Sequence, residues 1–503
     1  MRTFATLSDT TAGSCASSNC DPGIELPERK LNEECGVFGI AGHSMAADVT
    51  RLALVTMQHR GPESAGIVTT DGAGGMYHHR GMGLVEKAIK PQHLAPLREG
   101  NNAVGHVRYS TTGSSSLANA QPLVFSFARG NLALAHNGNL TNAATIRAEL
   151  EATGAIFQTT SDTEVVAHLI ARSPEPDMTD AIREALADIE GGFALCLLAD
   201  DRLVACRDRH GLRPLVLGRM PDGAWCVASE SCALDVIGAT FERDVLPGEL
   251  IVLEPDGTLV LSQFAEPAER ALCTFEHIYF ARPDSDVDGH NVHTIRKRFG
   301  RLLAEVAPVD ADVVVGVPDS SVSAATGYSE ASGIPNEMGL VKNRYIGRTF
   351  LEPSPELRTH GVRMKLNAVR GVVGGQRVVL IDDSLVRGTT SMRIVRMLRE
   401  AGAAEVHVRI ACPPVKHPCF FGIDMSTYDE LAAAHATVEE LRERIGADSL
   451  AFLEEPVMMR AFDEVGTEAA GGHCNACFTG RYPVDIDRAG AKLGLERGLV
   501  GVS

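Results

Sequence analysis

The chain has 503 residues, 44% of them hydrophobic and 22% charged, with a formal net charge of −18 at pH 7 and a pI near 5.4. That length provides for about two or three domains, each with its own core. The acidic balance speaks against general nucleic-acid binding, and no apolar run approaches the ~18 residues of a membrane helix.

Residues 1–34 are polar, rich in Ser, Thr, Pro and Gly, and carry Asp9, Asp21, Glu25, Glu28 and Glu33 where a secretory signal would carry an apolar core. They read as a flexible tail on a cytoplasmic protein. In a reducing compartment its twelve cysteines are core thiols, catalytic groups or metal ligands, not disulfides.

The tail ends at Leu31–Ile40, where an apolar strand begins and Cys35 stands on the boundary. Taken alone, a cysteine at a strand start is most often a small core residue. Four segments accompany it: His59–Ser64, Gly105–Thr111, His136–Leu140 and Thr160–Glu164. Each falls at the end of a predicted strand or in the turn after it, where functional groups are commonly displayed. Asn137-Gly138 is also a hairpin turn signal, and Arg108 and Asp162 read equally as surface ions. Runs at Ala103–Arg108, Leu132–His136, Phe193–Ala199, Trp225–Ser229 and Glu249–Glu254 predict packed antiparallel sheets with helices outside.

Together these segments resemble the class II glutamine amidotransferase domain of the N-terminal nucleophile hydrolases, over about residues 35–265. The resemblance implies a four-layer αββα sandwich, and a propeptide, residues 1–34, removed by a cut between Glu34 and Cys35. Chemistry explains that cut: a free α-amino group, with a pKa of about 7.7–8.0, acts as a general base where an amide nitrogen cannot. Cys35 would then attack the side-chain amide of glutamine, release ammonia and leave a thioester for water. By the same resemblance Asn137 and the Gly138 amide form an oxyanion hole. Arg108 pairs with the glutamine α-carboxylate, Asp162 holds the α-ammonium, and Arg60 helps close the pocket.

Further along, Val313–Pro318 reads as a strand leading into Asp319–Ser323, whose hydroxyls offer a wall for an anionic ligand; Ser320 alone is an ordinary helix N-cap. Lys342, Arg344, Arg348, Arg358, Arg363, Lys365 and Arg370 follow, opposed only by Glu352 and Glu356. Their Gly, Pro and Ser neighbours predict a long mobile loop, a lid suited to closing over a polyanion. Val378–Ile381 is an apolar run typical of a buried parallel strand, with Asp382 and Asp383 at its carboxyl end. Arg387, Gly388, Thr389 and Thr390 then open a helix marked by Ile394, Val395, Leu398 and Ala401 and stopped by Gly402. Hydroxyls and unpaired amides at a helix N-terminus cradle phosphate, and two adjacent acids beside them can hold ribose hydroxyls and hydrated Mg²⁺.

This second region resembles the type I phosphoribosyltransferases, in which Ser320, Asp382 and Asp383 would be the metal-associated residues. The pyrophosphate ligand, phosphoribosyl pyrophosphate (PRPP), would meet Lys342, Arg344, Asp382, Asp383, Arg387, Gly388, Thr389 and Thr390. In this order the two halves resemble the glutamine phosphoribosylpyrophosphate amidotransferases, over nearly everything after residue 30. The implied fold is an N-terminal nucleophile sandwich at 35–265, a doubly wound α/β phosphoribosyltransferase domain at 266–440 and a C-terminal segment at 441–503. The implied reaction turns PRPP, glutamine and water into 5-phosphoribosylamine, pyrophosphate and glutamate, the first committed step of purine synthesis. One Mg²⁺ per subunit, feedback by purine nucleotides, a homotetramer and an internal ammonia channel are implied as well.

Cys474-Asn-Ala-Cys477 is a single CxxC, a weak metal signal by itself. In the iron–sulfur branch of the family, cysteines occupy the contexts of Cys273, Cys419, Cys474 and Cys477, which implies one 4Fe–4S cluster per subunit; four thiolates also suit structural zinc. Cys15, Cys20, Cys196, Cys206, Cys226, Cys232 and Cys412 remain as spare thiols. A different class II amidotransferase would need a sugar isomerase or adenylating domain in the second half, which Val378–Ser391 opposes. A non-enzymatic purine sensor would have no need of Cys35 and its companions.

Overall fold

Strand-forming runs fill residues 36–263, and in a computed structural model of the chain they form two antiparallel sheets. The structure describes residues 35–109, 116–199, 201–254, 256–343, 366–425, 427–463 and 472–486. The strands in chain order are β1 (Gly36–Ala41), β2 (Ser64–Thr70), β3 (Met76–Met82), β4 (Asn102–Arg108), β5 (Leu123–Phe127), β6 (Gly130–Leu140) and β7 (Gly191–Ala199). They continue as β8 (Arg202–Arg207), β9 (Val216–Arg219), β10 (Trp225–Ala228), β11 (Thr240–Asp244), β12 (Glu249–Leu253) and β13 (Leu259–Gln263). One sheet runs β11-β9-β10-β1-β4-β2-β3, the other β13-β12-β8-β7-β6-β5.

Between the sheets lie Val37, Val68 and Val104 from one and Ala133, Ala135, Ala194, Cys196 and Leu198 from the other. Helix Ala46–Thr56 covers the outer face of the first sheet through Ala46, Ala53 and Leu54. Helices Glu164–Arg172 and Met178–Asp188 cover the second through Val165, Val166, Ile170 and Ile182. The result is the four-layer αββα sandwich expected from the resemblance. The centre of the first sheet is β1, paired with β10 on one side and β4 on the other, so Cys35 enters the fold at its middle.

β6 is longer than the sequence suggested. The His136–Leu140 segment was expected at a strand end, with Asn137-Gly138 as a turn signal; it lies inside β6, where Asn137 pairs with Ala194 and Gly138 with Phe193. The reason is steric. Gly138 has φ +138, and a Cβ there would stand 2.0 Å from the Gly192 carbonyl oxygen. Glycine serves close strand contact here, not chain reversal.

After the sandwich come β14 (Leu272–Cys273), a π-helical turn at Glu276–Phe280, and a short hairpin of β15 (Asp286–Val287) and β16 (His290–Asn291). A parallel sheet follows, ordered β17 (Val313–Gly316), β20 (Arg377–Asp382), β21 (Glu405–Ile410) and β22 (Ser449–Phe452). Val378 to Ile381 are fully buried, as an uninterrupted apolar run in a parallel strand requires. Helices Val292–Val306, Val322–Ser332 and Thr389–Glu400 pack on it through Ile295, Phe299, Ala325, Tyr328, Ile394 and Leu398. Its fourth strand lies beyond position 440, so the expected boundary there cuts a continuous sheet; a four-residue strand after a polar helix gave too short a signal to read.

Two further details correct local expectations. Val341 and Lys342, expected in the loop, belong to β18 (Leu340–Lys342), which pairs antiparallel with β19 (Leu366–Ala368). Arg344, Arg348, Arg358, Arg363 and Lys365 lie outside the described residues. The N-cap of helix Val322–Ser332 is Ser321 and not Ser320. Among the described residues no helix is long and apolar enough to cross a membrane.

Candidate functional site

The first site gathers around Cys35, which is only 6% exposed. Its Sγ donates to the Tyr109 carbonyl at 3.4 Å. Burial pushes the thiol pKa up to about 11, against the pull of the nearby Arg108 guanidinium. At neutral pH this is a protonated thiol that needs a base to become a nucleophile. Arg108, at the end of β4, is buried and lies 3.8 Å from Glu63.

Asn137 is tied to the strand of Cys35 through one hydroxyl. Ser229 Oγ accepts from the Val37 amide at 2.9 Å and from Asn137 Nδ2 at 3.4 Å. Asn137 Oδ1 is buried without a hydrogen-bond partner. Asp162 sits beneath the same strand, accepting from the Leu140 amide and the Thr163 amide at 2.9 Å each. His106 Nε2 donates to the His136 carbonyl at 3.0 Å, and burial drives its pKa down to about 3, so it is a neutral ring. The structure therefore brings Cys35, Arg108, Asn137, Gly138 and Asp162 into one neighbourhood.

Arg60, expected to help close the glutamine pocket, is engaged with the main chain of Cys35 and two acids. It is buried; Nε donates to the Cys35 carbonyl at 3.1 Å, and Nη1 donates to Glu230 at 2.6 Å and Glu276 at 3.0 Å. Nη2 donates to Glu276 at 2.7 Å. Glu230 is also fully buried, held well below the usual carboxylate range by His59 and Arg60 despite the burial that opposes it. Removing one partner of such a pair costs about 3–5 kcal/mol, because a charge is left unpaired.

The second site lies at the carboxyl ends of β17 and β20, adjacent parallel strands in register Gly316↔Ile381. Four serine and backbone donors converge on the two acids. Ser320 Oγ bonds Asp383, and Ser321 Oγ lies 3.2 Å from Asp382 and 3.4 Å from Asp383. Ser384 Oγ donates to Asp383 at 2.7 Å, and the Asp383 amide to Asp382 at 3.0 Å. Burial nevertheless raises the Asp383 pKa above its ordinary value, with the serine bonds pulling the other way. Helix Thr389–Glu400 starts beside them, with Gly388 at φ +76 as its N-cap, so the amides of its first turn open on this crevice. Arg387 reaches back to Glu430 at 2.7 Å, and Lys342 pairs with Asp319 at 2.7 Å on the rim.

A third cluster is the cysteine nest. Cys273, Cys419, Cys474 and Cys477 line one small cavity with Leu212, Phe421, Ile423, Ala476 and Tyr482. Cys273 and Cys474 face each other across the parallel pair of β14 and β23 (His473–Cys474). Burial and the fields of its three companions raise the Cys477 thiol. Among the described residues no group of three or more His, Cys, Asp or Glu converges tightly enough for a single metal ion. Four thiols lining one cavity are a soft donor set of the kind that zinc or an iron–sulfur core takes. Cys196, Cys206, Cys226, Cys232 and Cys412 are buried, as expected of core thiols, and Cys15 and Cys20 lie outside the described residues.

Sequence reasoning missed the parts played by Ser229, Glu230, Glu276 and the Phe420–Gly422 segment. Asn139 Nδ2 donates to the Phe420 carbonyl at 2.8 Å, and Arg213 Nε to that of Phe421 at 2.9 Å. No local pattern marks such residues, since each acts on a partner far away in the chain.

The sequence family described as a glutamine amidotransferase domain matches residues 106–236. An amidophosphoribosyltransferase of Bacillus subtilis (strain 168) is 53% identical over 457 residues, 91% of this chain and 95% of that protein. One from Staphylococcus aureus (strain MRSA252) is 48% identical over 456 residues, 91% and 92% of the two chains. Among solved structures, that of an allosteric regulatory enzyme of purine biosynthesis superposes with a TM-score of 0.87 at 50% identity, covering 93% of this chain and 100% of its own. The B. subtilis glutamine phosphoribosylpyrophosphate amidotransferase complexed with ADP and GMP superposes with a TM-score of 0.84 at 52% identity, covering 90% and 98%.

Proposed function

The chain belongs to the amidophosphoribosyltransferase family, and on that premise we propose how its residues divide the work. The fold is an N-terminal nucleophile amidotransferase joined to a phosphoribosyltransferase, and the enzyme makes 5-phosphoribosylamine, pyrophosphate and glutamate from PRPP, glutamine and water.

Cys35 is the nucleophile, and its place at the head of β1, with Arg60 on its carbonyl and Arg108, Glu63 and Asp162 as its charged neighbours, supports that reading. A thiol so placed loses its proton to a base within reach. The α-amino group of Cys35 becomes that base once residues 1–34 are cut away at Glu34–Cys35. Asn137 Nδ2 and the Gly138 amide stabilise the oxyanion. Arg108 receives the α-carboxylate of glutamine and Asp162 its α-ammonium.

At the second site Asp382 and Asp383 receive the ribose hydroxyls, the amides and hydroxyls of Gly388, Thr389 and Thr390 the 5-phosphate, and Lys342, Arg344 and Arg387 the remaining negative charge. The buried carboxyls and the hydroxyl of Ser320 fit a hard cation, as their oxygen-only donor set requires. Bound there with PRPP, Mg²⁺ supplies charge neutralisation for departing pyrophosphate. Ammonia from the first site attacks C1 of the ribose without meeting water.

The cysteine nest fits a 4Fe–4S cluster, held by Cys273, Cys419, Cys474 and Cys477. That group, when bound, supplies a cross-link between β14, the 411–425 segment and the C-terminal residues. The first domain spans 35–265 and the second reaches at least the end of β22. Cytoplasmic location, a homotetramer, and inhibition by purine nucleotides like those bound to the B. subtilis relative complete the proposal.

The test is glutamate release by protein freed of residues 1–34 and purified without oxygen, with and without PRPP and Mg²⁺. Release strongly increased by PRPP supports two communicating sites. Release indifferent to PRPP overturns the proposed acceptor.

A further inference from the structure

The nucleophile of the amide site is fixed by a residue from the other half of the chain. Glu276 opens the π-helical turn Glu276–Phe280, well after the last strand of the sandwich. Both of its carboxylate oxygens accept from Arg60, at 2.7 and 3.0 Å, and Arg60 Nε holds the Cys35 carbonyl at 3.1 Å. The side chains of Arg60, Glu230 and Glu276 are wholly buried. A guanidinium is a rigid planar fork, so two partners fix the direction of its third donor. Here the two partners are Glu230 and Glu276, and the third contact is the main chain of Cys35.

The turn is itself anchored on the sugar-phosphate side. Arg296, buried on helix Val292–Val306, donates to the His277 carbonyl at 2.7 Å and to the Ala281 carbonyl at 2.8 Å. It also feels the field of Asp383. π-Turns carry an extra residue in the helical ladder and frequently stand at functional sites. In this one, the first side chain points to the amide site and the carbonyls are held by Arg296 of helix Val292–Val306.

We infer that Glu276 is a positioning residue for glutamine chemistry: acting through Arg60, it sets the main chain of Cys35 so that its thiol and α-amino group meet the substrate amide. The inference rests on Cys35 being the nucleophile. The glutamine site is thereby incomplete without the phosphoribosyltransferase half.

The experiment uses the mature, anaerobically purified full enzyme carrying Glu276→Gln, which keeps the side chain's shape and removes its charge. Displacing a reacting group by a fraction of an ångström to 1 Å costs about tenfold to a hundredfold, so kcat with glutamine should fall by that factor. KM for glutamine and the ammonia-dependent reaction with PRPP should stay within about twofold, because neither depends on the direction of the Cys35 thiol. Alkylation of Cys35 by iodoacetamide should slow in parallel with kcat, a readout independent of turnover. Equal loss of both activities, or loss of neither, overturns the inference.

Arg60→Lys supplies a second test that keeps the buried positive charge. Glu276 also lies 3.7 Å from the buried Arg213; if it acts on Cys35 through Arg60, the double variant should lose no more than the worse single one, and multiplied losses overturn the relay. Cys35→Ala separates the two levels of the argument. Glutamine hydrolysis surviving in that variant removes the nucleophile itself, whereas a dead Cys35→Ala beside an unimpaired Glu276→Gln removes only the role of Glu276.

Discussion

The two sites are built in opposite ways. The sugar-phosphate site is nearly contiguous: Asp382 to Thr390 run from a strand end into a helix, joined only by Ser320 and Ser321 from the neighbouring strand. The amide site is assembled from residues 35, 60, 108, 137, 138 and 162 and is backed by Glu276 and Phe420–Gly422 from the other half. Burial raises the pKa of the reactive group in both, yet with different results. In the roles proposed above, burial keeps a proton on the Cys35 nucleophile until a base arrives, and at Asp383 a bound cation would stand in for the missing solvent. The contiguous site depends on its own strand and helix, and the assembled one on the contact between halves.

Separating the two chemistries is the largest effect expected. Cys35→Ala should lower glutamine-dependent synthesis by about a thousandfold or more, as loss of a covalent nucleophile does. Ammonia supplied at alkaline pH should still yield 5-phosphoribosylamine at close to the original rate. Loss of the ammonia reaction too would erase the distinction between the sites.

Asp383→Asn tests the other side. Transfer should fall by roughly a hundredfold to a thousandfold with either nitrogen source, the range for removing one charged group from a transition-state clamp. Stability should move in the opposite direction. The folded pKa lies above the unfolded one, so the native state binds the proton more tightly. Stability then falls as pH rises from the unfolded value of about 3.9 through the folded one. Asn carries no such penalty, so the ligand-free variant should melt about 1–3 °C higher at pH 7.5, with the difference vanishing toward pH 3. An unchanged melting temperature at neutral pH would mean the serine bonds cancel the burial.

Gly422→Ala probes the seam at smaller cost. The residue sits at φ +120, with a would-be Cβ 3.1 Å from Gly138. Strain of about 1–3 kcal/mol is expected, and glutamine-dependent kcat should fall about tenfold with ammonia-dependent transfer preserved. Equal losses in both reactions would show the seam to support the whole fold.

Legibility in the sequence followed the same division. The PRPP stretch was readable because strand, acids, glycine and helix start are consecutive, and the structure keeps that order. The sandwich was readable from its motifs, with the four-layer packing supplied by resemblance. Gly138 was ambiguous because a glycine needed for close strand contact and a glycine needed for a turn look alike in one dimension. Glu276 was invisible, since a lone acid between Phe275 and His277 carries no sign that its partner is Arg60. β22 was missed because four residues after a charged helix fall below what periodicity resolves.

The smallest effect separates the rim from the core of the sugar-phosphate site. Lys342 and Asp319 form an ion pair at 2.7 Å, with side chains 51% and 66% exposed. Such a pair contributes about 0–1 kcal/mol, so Lys342→Ala should leave the urea midpoint nearly unchanged. If β18 brings Lys342 over bound pyrophosphate, KM for PRPP should rise about threefold to tenfold with kcat conserved, the mark of an interaction equally present in ground and transition states. The increase should shrink at higher ionic strength, because an exposed cation is screened over about 10 Å at 0.1 M salt. A KM indifferent to both the substitution and the salt would assign Lys342 to Asp319 alone and leave the contiguous strand-and-helix motif as the whole of PRPP recognition outside residues 344–365.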